Sequence, residues 1–237
     1  MSSEKNKKMT INIKGNDFKK NFYEKQAWNK HGLVCGIDEV GRGCLAGPVV
    51  TATAILITQK VPDFITDSKT LSKPELLKSY LWLTRNCKFS IGIVSNHNID
   101  KLNIWQATLT AMKKSTISLF WQTNILPSAI LVDAMPLALD NTAYNSIPIH
   151  SFTNGESKSV SIAAASIIAK VTRDKLIEKY DTIFPGYQFI EHKGYGTEKH
   201  KLFIKTLKHT IIHRESFLKN ILNPSFGDTN DQQLSLL

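Results

Sequence analysis

The sequence predicts an α/β fold. Three observations carry that prediction: short apolar runs bounded by turn residues, helical apolar spacing in the stretches between them, and alternation of the two along the chain. With 237 residues, 42% of them hydrophobic and 21% charged, the composition is that of an ordinary folded protein. Collagen-like, coiled-coil and disordered readings are excluded, and the length suits one large domain with appendages.

The elements follow in order. Residues 1 to about 29 are rich in Lys and Asn, with Phe18, Phe22 and Tyr23 as apolar anchors, and read as an arm or a short peripheral helix. Leu33-Val34-Cys35-Gly36-Ile37 reads as a buried strand and Val49 to Ile57 as a second, with a Gly-rich turn between them. Ser72-Lys73-Pro74-Glu75 combines a capping serine, an early proline and a glutamate three residues on, which start a helix running to about Asn86. Phe89, Ile91 and Ile93 alternate as a strand does, and Ile104 to Trp121 has helical spacing. Ala129 to Val132 is a short buried strand running straight into Asp133, and Ile147-Pro148-Ile149 a weaker, edge-like one. Ser159 to about Tyr180 reads as a long helix. Its Ala-rich first half allows close approach to a sheet, and its charged second half, from Lys170, is expected to leave the core. A basic loop, His192-Lys193-Gly194-Tyr195-Gly196, precedes a helix near Glu198 to Lys208, and the chain turns polar past Asn223-Pro224. The organisation expected is a basic arm over 1–30, one folded unit over 31–222 and a polar tail over 223–237.

Thirty Lys+Arg against twenty Asp+Glu give a formal charge of +10, which favours a polyanionic partner. Three cysteines, with no CxxC pair, supply no disulfide framework and suit a reduced compartment. No apolar run reaches the ~20 residues of a membrane span, and Met1 to Met9 is too polar for a secretory signal, so a cytoplasmic protein is expected. GxGxxG, GxxxxGK[ST] and GxSxG patterns are all absent, which argues against dinucleotide, P-loop and serine-hydrolase chemistry.

Asp38 and Glu39 stand side by side at the end of the first strand, just before Gly41-Arg42-Gly43. Adjacent carboxylates there call for a cation, and Mg²⁺ or Mn²⁺ suits an oxygen-only donor set with no His/Cys cluster. Alternating strand faces let both acids reach one site only if the strand ends or twists there. Asp133 is a second strand-tip acid, where ligands gather in open α/β sheets. Glu156, just ahead of the Ala-rich helix, is a third contribution, although an acid near a helix N-terminus has a plainer electrostatic reading. Closely spaced glycines bring backbone within contact distance of a sugar or phosphate and so are able to sense a ribose 2′-hydroxyl. Lys69, Lys193 and Arg214 are candidate phosphate contacts and Tyr195 a stacking face, while Cys44 reads as packing.

Taken in order, these motifs resemble one family. Gly36-Ile37-Asp38-Glu39-Val40-Gly41-Arg42-Gly43 with Leu45-Ala46-Gly47-Pro48-Val49-Val50, then Asp67-Ser68-Lys69, Leu131-Val132-Asp133, Ala163 to Asp174, His192 to Thr197 and His213-Arg214 before Ser216-Phe217 closely resemble bacterial ribonuclease HII. The resemblance implies an RNase H-like fold, a central mixed sheet flanked by helices with a small helical C-terminal extension. It implies endonucleolytic cleavage of RNA in RNA–DNA hybrids and 5′ to single ribonucleotides in duplex DNA, using two divalent ions held by Asp38, Glu39, Asp133 and a fourth acid; a monomer is expected, without a sequence feature that decides it. That fourth acid is normally an Asp in a Gly-Asp step, and here the place holds Glu156, with Asp174 a poorer substitute. Ala134 stands where bacterial members usually have Gly. By the same resemblance Gly41, Arg42 and Gly43 read the 2′-hydroxyl, Lys69 contacts phosphate and Tyr195 packs at the junction between ribonucleotide and deoxyribonucleotide. Two alternatives stay open: a ribonuclease HIII-like nuclease confined to hybrids, and a catalytically silent nucleic-acid-binding protein.

Overall fold

In a computed structural model the structure describes residues 20–222; the readings of 1–19 and 223–237 lie outside them. Among the described residues five strands form one sheet: β1 (Val34–Val40), β2 (Val49–Leu56), β3 (Cys87–Val94), β4 (Ala129–Asp133) and β5 (Ile149–Phe152), in the order β3-β2-β1-β4-β5. The sheet is mixed. β2 runs antiparallel to β1 and β3, while β4 lies parallel to β1 and β5 parallel to β4. Every residue of β2 is buried, Thr51 and Thr53 included, whose hydroxyls pair with those of Ser115 and Thr116, as befits a strand covered on both faces.

The helices are α1 (Phe22–Trp28), α2 (Lys73–Asn86), α3 (Asn96–Leu102), α4 (Ile104–Thr123), α5 (Gly155–Lys158), α6 (Val160–Ile183), α7 (Phe189–His192), α8 (Glu198–Leu207) and α9 (Glu215–Leu222). The helix at Ser72 begins as expected: the Ser72 backbone N–H donates to Glu75 at 2.9 Å and its hydroxyl at 2.6 Å, an arrangement that contributes about 1 kcal/mol. One face of the sheet packs Ala52, Ala54 and Leu56 against α2 and α6; the other packs Cys35, Ile37, Ile55, Ile130 and Val132 against Met112, Leu119 and Phe120 of α4. The alanines of α6 do what their size suggests. A Cβ on Gly36 would lie 2.1 Å from the backbone carbonyl of Ser161, so strand and helix meet backbone to backbone and only glycine fits.

Two expectations need correction. The second half of α6 does not leave the core: Val171, Arg173 and Ile177 are buried, and Ile177 joins Leu45, Tyr187, Phe189, Ile204 and Leu218 in a separate C-terminal core. The weak strand near Ile147 lies two residues later and is an edge strand of the sheet. Within the stretch read as an arm, α1 is docked: Tyr23 stacks on Phe152 at 5.8 Å, Glu24 accepts from the Ser159 hydroxyl and, at 3.1 Å, from the Ser161 N–H, and Asn21 Oδ1 accepts from Val160 N–H at 2.9 Å. These acceptors satisfy the first turn of α6. No helix among the described residues is long and apolar enough to cross a membrane.

Candidate active site

The acids collect where β1 and β4 end. β1 does not stop before them: Asp38 and Glu39 stay in the ladder opposite Ala52 and Thr51. Asp38 shares the parity of Gly36 and faces α6, and Glu39 takes the other face. Both nonetheless line one cleft of about 250 Å³ with Asp133, because they sit at the rim of the sheet. Asp38 is 4% exposed and accepts the Glu39 N–H at 2.7 Å. Burial pushes its carboxyl well above the usual range, and Glu39, Asp133 and Glu156 push it further. Burial also raises Glu39, with Arg42 opposing. Its Oε1 accepts from Arg42 Nη1 at 3.3 Å, while its Oε2 is buried with no hydrogen-bond partner.

Asp133 ends β4 and accepts the Gly155 N–H at 2.7 Å, so the turn bearing Glu156 is anchored on it. Glu156 is buried beside them; its Oε2 accepts from Lys69 Nζ at 2.8 Å and its Oε1 from the hydroxyls of Ser166 and Ser68. This hydrogen bond is the main reason the Lys69 ammonium titrates above its ordinary value. The long carboxylate thus reaches the acid cluster, tied to a lysine. Ala134, next to Asp133, has φ 51°, a backbone that favours glycine and costs an L side chain about 1 kcal/mol.

Gly41, Arg42, Gly43, Lys69 and Tyr195 line the same cleft, joined by Ser68, Ser166 and Lys170. Those last three lay inside the quoted motifs without being singled out; Ser166 and Lys170, four apart on α6, share a helix face, which is the signal that finds them. Tyr195 is 43% exposed, its carbonyl accepting from His200 Nδ1 at 2.8 Å. Lys193 is not brought to the cleft: its ammonium is held by Glu178 at 2.9 Å. Arg214, a candidate phosphate contact, is wholly buried and bonds only backbone carbonyls of residues 41, 42 and 47. Asp174 pairs with Lys170 at 3.3 Å. Cys44 is buried, and burial raises its thiol, so it packs as a neutral group.

A larger groove of about 540 Å³ lies between α3 and the turn ahead of α9. Its Asp100 is committed to capping α9, accepting the Glu215 and Ser216 N–H groups at 3.0 Å each, whereas the acids at the ends of β1 and β4 line the smaller cleft.

The donor set of that cleft fits hard divalent cations: carboxylate oxygens alone, one buried and unpartnered, with Asp38 destabilised as an anion by its neighbours. As the side chains stand, no three Asp, Glu, His or Cys groups among the described residues enclose a point that a metal ion would occupy. Asp133 and Glu156 are instead turned to the Gly155 amide and to Lys69.

Comparison with known proteins gives a family match: the model described as Ribonuclease HII matches residues 35–220. The chain is 44% identical over 200 residues to a Ribonuclease HII of Lactobacillus acidophilus, covering 82% of this chain and 74% of the relative. It is 42% identical over 204 residues to that of Clostridioides difficile, covering 85% and 76%. Among solved structures, a PCNA:RNase HII complex from Archaeoglobus fulgidus superposes with a TM-score of 0.62 at 22% identity, covering 77% of this chain and 94% of that one. Bst-RNase HIII in complex with Mn²⁺ gives 0.61 at 18% identity, covering 88% and 75%. At those identities the two structures speak for the fold alone.

Proposed function

Because the chain belongs to the ribonuclease HII family, it is a hydrolase of RNA in RNA–DNA hybrids, and we propose that it also cuts duplex DNA 5′ to a single embedded ribonucleotide. The observation that carries this reading is the meeting of Asp38, Glu39 and Asp133 with Gly41-Arg42-Gly43 and Tyr195 in one cleft. Acids for hydrolysis and backbone for ribose recognition lie within reach of one nucleotide.

In this reading Asp38, Glu39, Asp133 and Glu156 hold two Mg²⁺ or Mn²⁺ ions. When bound, such ions polarise the scissile phosphate and render water nucleophilic near neutral pH. The protein's own part is positional. Arg42 orients Glu39, the Gly155 amide orients Asp133, and Ser166 orients Glu156. Lys69, with a side chain 75% exposed, exchanges Glu156 for a substrate phosphate, and Tyr195 packs against the sugar that follows the ribonucleotide. Products carry 5′-phosphate and 3′-hydroxyl ends. The enzyme is read as a cytoplasmic monomer, a compartment its three buried free thiols suit.

The test is a duplex DNA containing one ribonucleotide, incubated with Mg²⁺ or Mn²⁺. Metal-dependent cutting on the 5′ side, stopped by EDTA, supports the reading. Cutting of long hybrids only makes the protein hybrid-specific, and binding without cutting makes it a silent binder. Full activity in Glu156→Ala removes Glu156 from the site.

A further inference from the structure

Behind the Gly41-Arg42-Gly43 turn sit two arginines that the proposed reaction leaves without a task. Arg173 comes from the middle of α6 and Arg214 from the residue before α9, and both are 0% exposed. Neither guanidinium is bonded to a carboxylate among the described residues. Arg173 donates to the carbonyls of Pro48 (3.1 Å), Lys193 (2.8 Å) and Ala46 (3.0 Å). Arg214 donates Nε to Gly47 (3.0 Å), Nη1 to Arg42 (2.7 Å) and Nη2 to Gly41 (2.6 Å). Burying an unpaired cation is unfavourable, and an apolar side chain fills the same volume more readily. What an arginine supplies that no apolar group does is a rigid fork of donors able to grip neighbouring carbonyls.

That grip has a geometric consequence. A trans peptide group is planar with N–H opposed to C=O. With the carbonyls of Gly41 and Arg42 drawn onto the Arg214 fork, the N–H groups of Arg42 and Gly43 face away from it, and neither has an acceptor among the described residues. Gly43 is exposed, and no atom lies within 4 Å of where its Cβ would stand. Gly41 has φ 89°, and a Cβ there would sit 2.1 Å from Arg173 Nε. Arg173 also spans to the other sensor: it holds the Lys193 carbonyl, and its guanidinium carbon lies 5.8 Å from the centroid of the Tyr195 ring. Charge-assisted bonds at the carbonyls polarise the same peptide groups and strengthen their N–H donors.

We propose that Arg214 and Arg173 are positioning residues for ribose discrimination: they orient two successive peptide planes so that the Arg42 and Gly43 N–H groups are offered to a 2′-hydroxyl oxygen, and they hold the Tyr195 loop at a set distance from them. This rests on the functional reading above and deepens it. The test compares wild type with Arg214→Lys and Arg173→Lys, which keep the charge and lose the fork. Ribose preference is the ratio of Kd for an all-deoxy duplex to Kd for the same duplex bearing one ribonucleotide, measured by anisotropy without divalent metal. It is expected to fall about tenfold in Arg214→Lys, the scale of one or two hydrogen bonds, while the all-deoxy Kd stays within about twofold. An unchanged ratio in both variants overturns the proposal, and so does a parallel loss of both affinities, which marks a role in folding alone. If wild type itself shows no preference, the functional reading of the loop fails. The positioning claim is then decided by ¹⁵N-glycine spectra, where the Gly43 amide must shift in Arg214→Lys and an unmoved resonance refutes it.

Discussion

Two clusters of like charge adjoin residues 41–48, an acidic one that is partly buried and a basic one that is wholly so, and they are built on opposite terms. In front, Asp38, Glu39, Asp133 and Glu156 share one end of the sheet with Arg42 and Lys69 as the nearest cations, and Glu39 keeps an oxygen with no partner. Behind, Arg173 and Arg214 have all their charge directed onto carbonyls. The rear cluster is complete within the protein; the front cluster is complete only when something positive joins it. That difference separates a scaffold from a site, and it is open to measurement.

The largest effect is expected at Asp38. Asp38→Asn should reduce cleavage by at least about 10³-fold, equivalent to ~4 kcal/mol of barrier. The same change removes repulsion, so the metal-free Tm should rise by a few degrees, about 1 kcal/mol. Wild type, in contrast, should gain stability with Mn²⁺, about 2.7 kcal/mol at a hundredfold excess over Kd, and Asp38→Asn should lose most of that response. A metal-free variant less stable than wild type would erase the contrast between the clusters.

The scaffold has its own weakness, in acid. His200 Nδ1 donates to the Tyr195 carbonyl, which leaves His200 Nε2 to accept from His213 Nε2 at 3.1 Å, while His213 Nδ1 accepts the Thr210 N–H. Both rings are neutral in this chain of bonds. Burial holds His200 down to about 4 and His213 down to about 3, below the ordinary 6.5. The unfolded chain therefore takes up these protons first: the stabilisation is complete above about pH 6.5 and is lost as pH falls toward 4 and then 3. Urea unfolding should show a loss of about 4 kcal/mol between pH 7 and pH 5, roughly 2 from each ring, and His213→Asn should flatten that slope by about half.

The smallest effect concerns Ala134. Replacing it by Gly removes the strain of φ 51° at slight entropic expense, so Ala134→Gly should stabilise by about 0.5–1 kcal/mol in thermal melts. A destabilised variant would mean that the Ala134 methyl packs to more benefit than its backbone is strained.

Local signals made much of the fold and the front of the site legible. Ser72, Pro74 and Glu75 carry a helix start in their own chemistry, Val49 to Leu56 is buried throughout and reads as such, and Ala129 to Asp133 announces a strand ending on an acid. α3 escaped because Ile99 is its one buried anchor, too little for a period. Arg173 escaped, and Arg214 was read as a phosphate contact, for a deeper reason. Their partners are main-chain carbonyls, which every residue possesses, so nothing in the pattern of side chains distinguishes a buried arginine of this kind from a surface one. Lys193 misled in the other direction: its place beside Tyr195 suggested the cleft, and its partner Glu178 stands on another element.

The bare contact between Gly36 and Ser161 sets how this protein tolerates change. Because α6 is seated on β1 through main chain, the spacing between Asp38 on the strand and Ser166 on the helix is insensitive to which apolar side chains fill the surrounding interior. Drift among hydrophobic residues there is expected to leave the geometry of the candidate site in place, whereas a single methyl at position 36 should act as a wedge, lifting the helix and carrying Ser166 away from the acids without altering any of them.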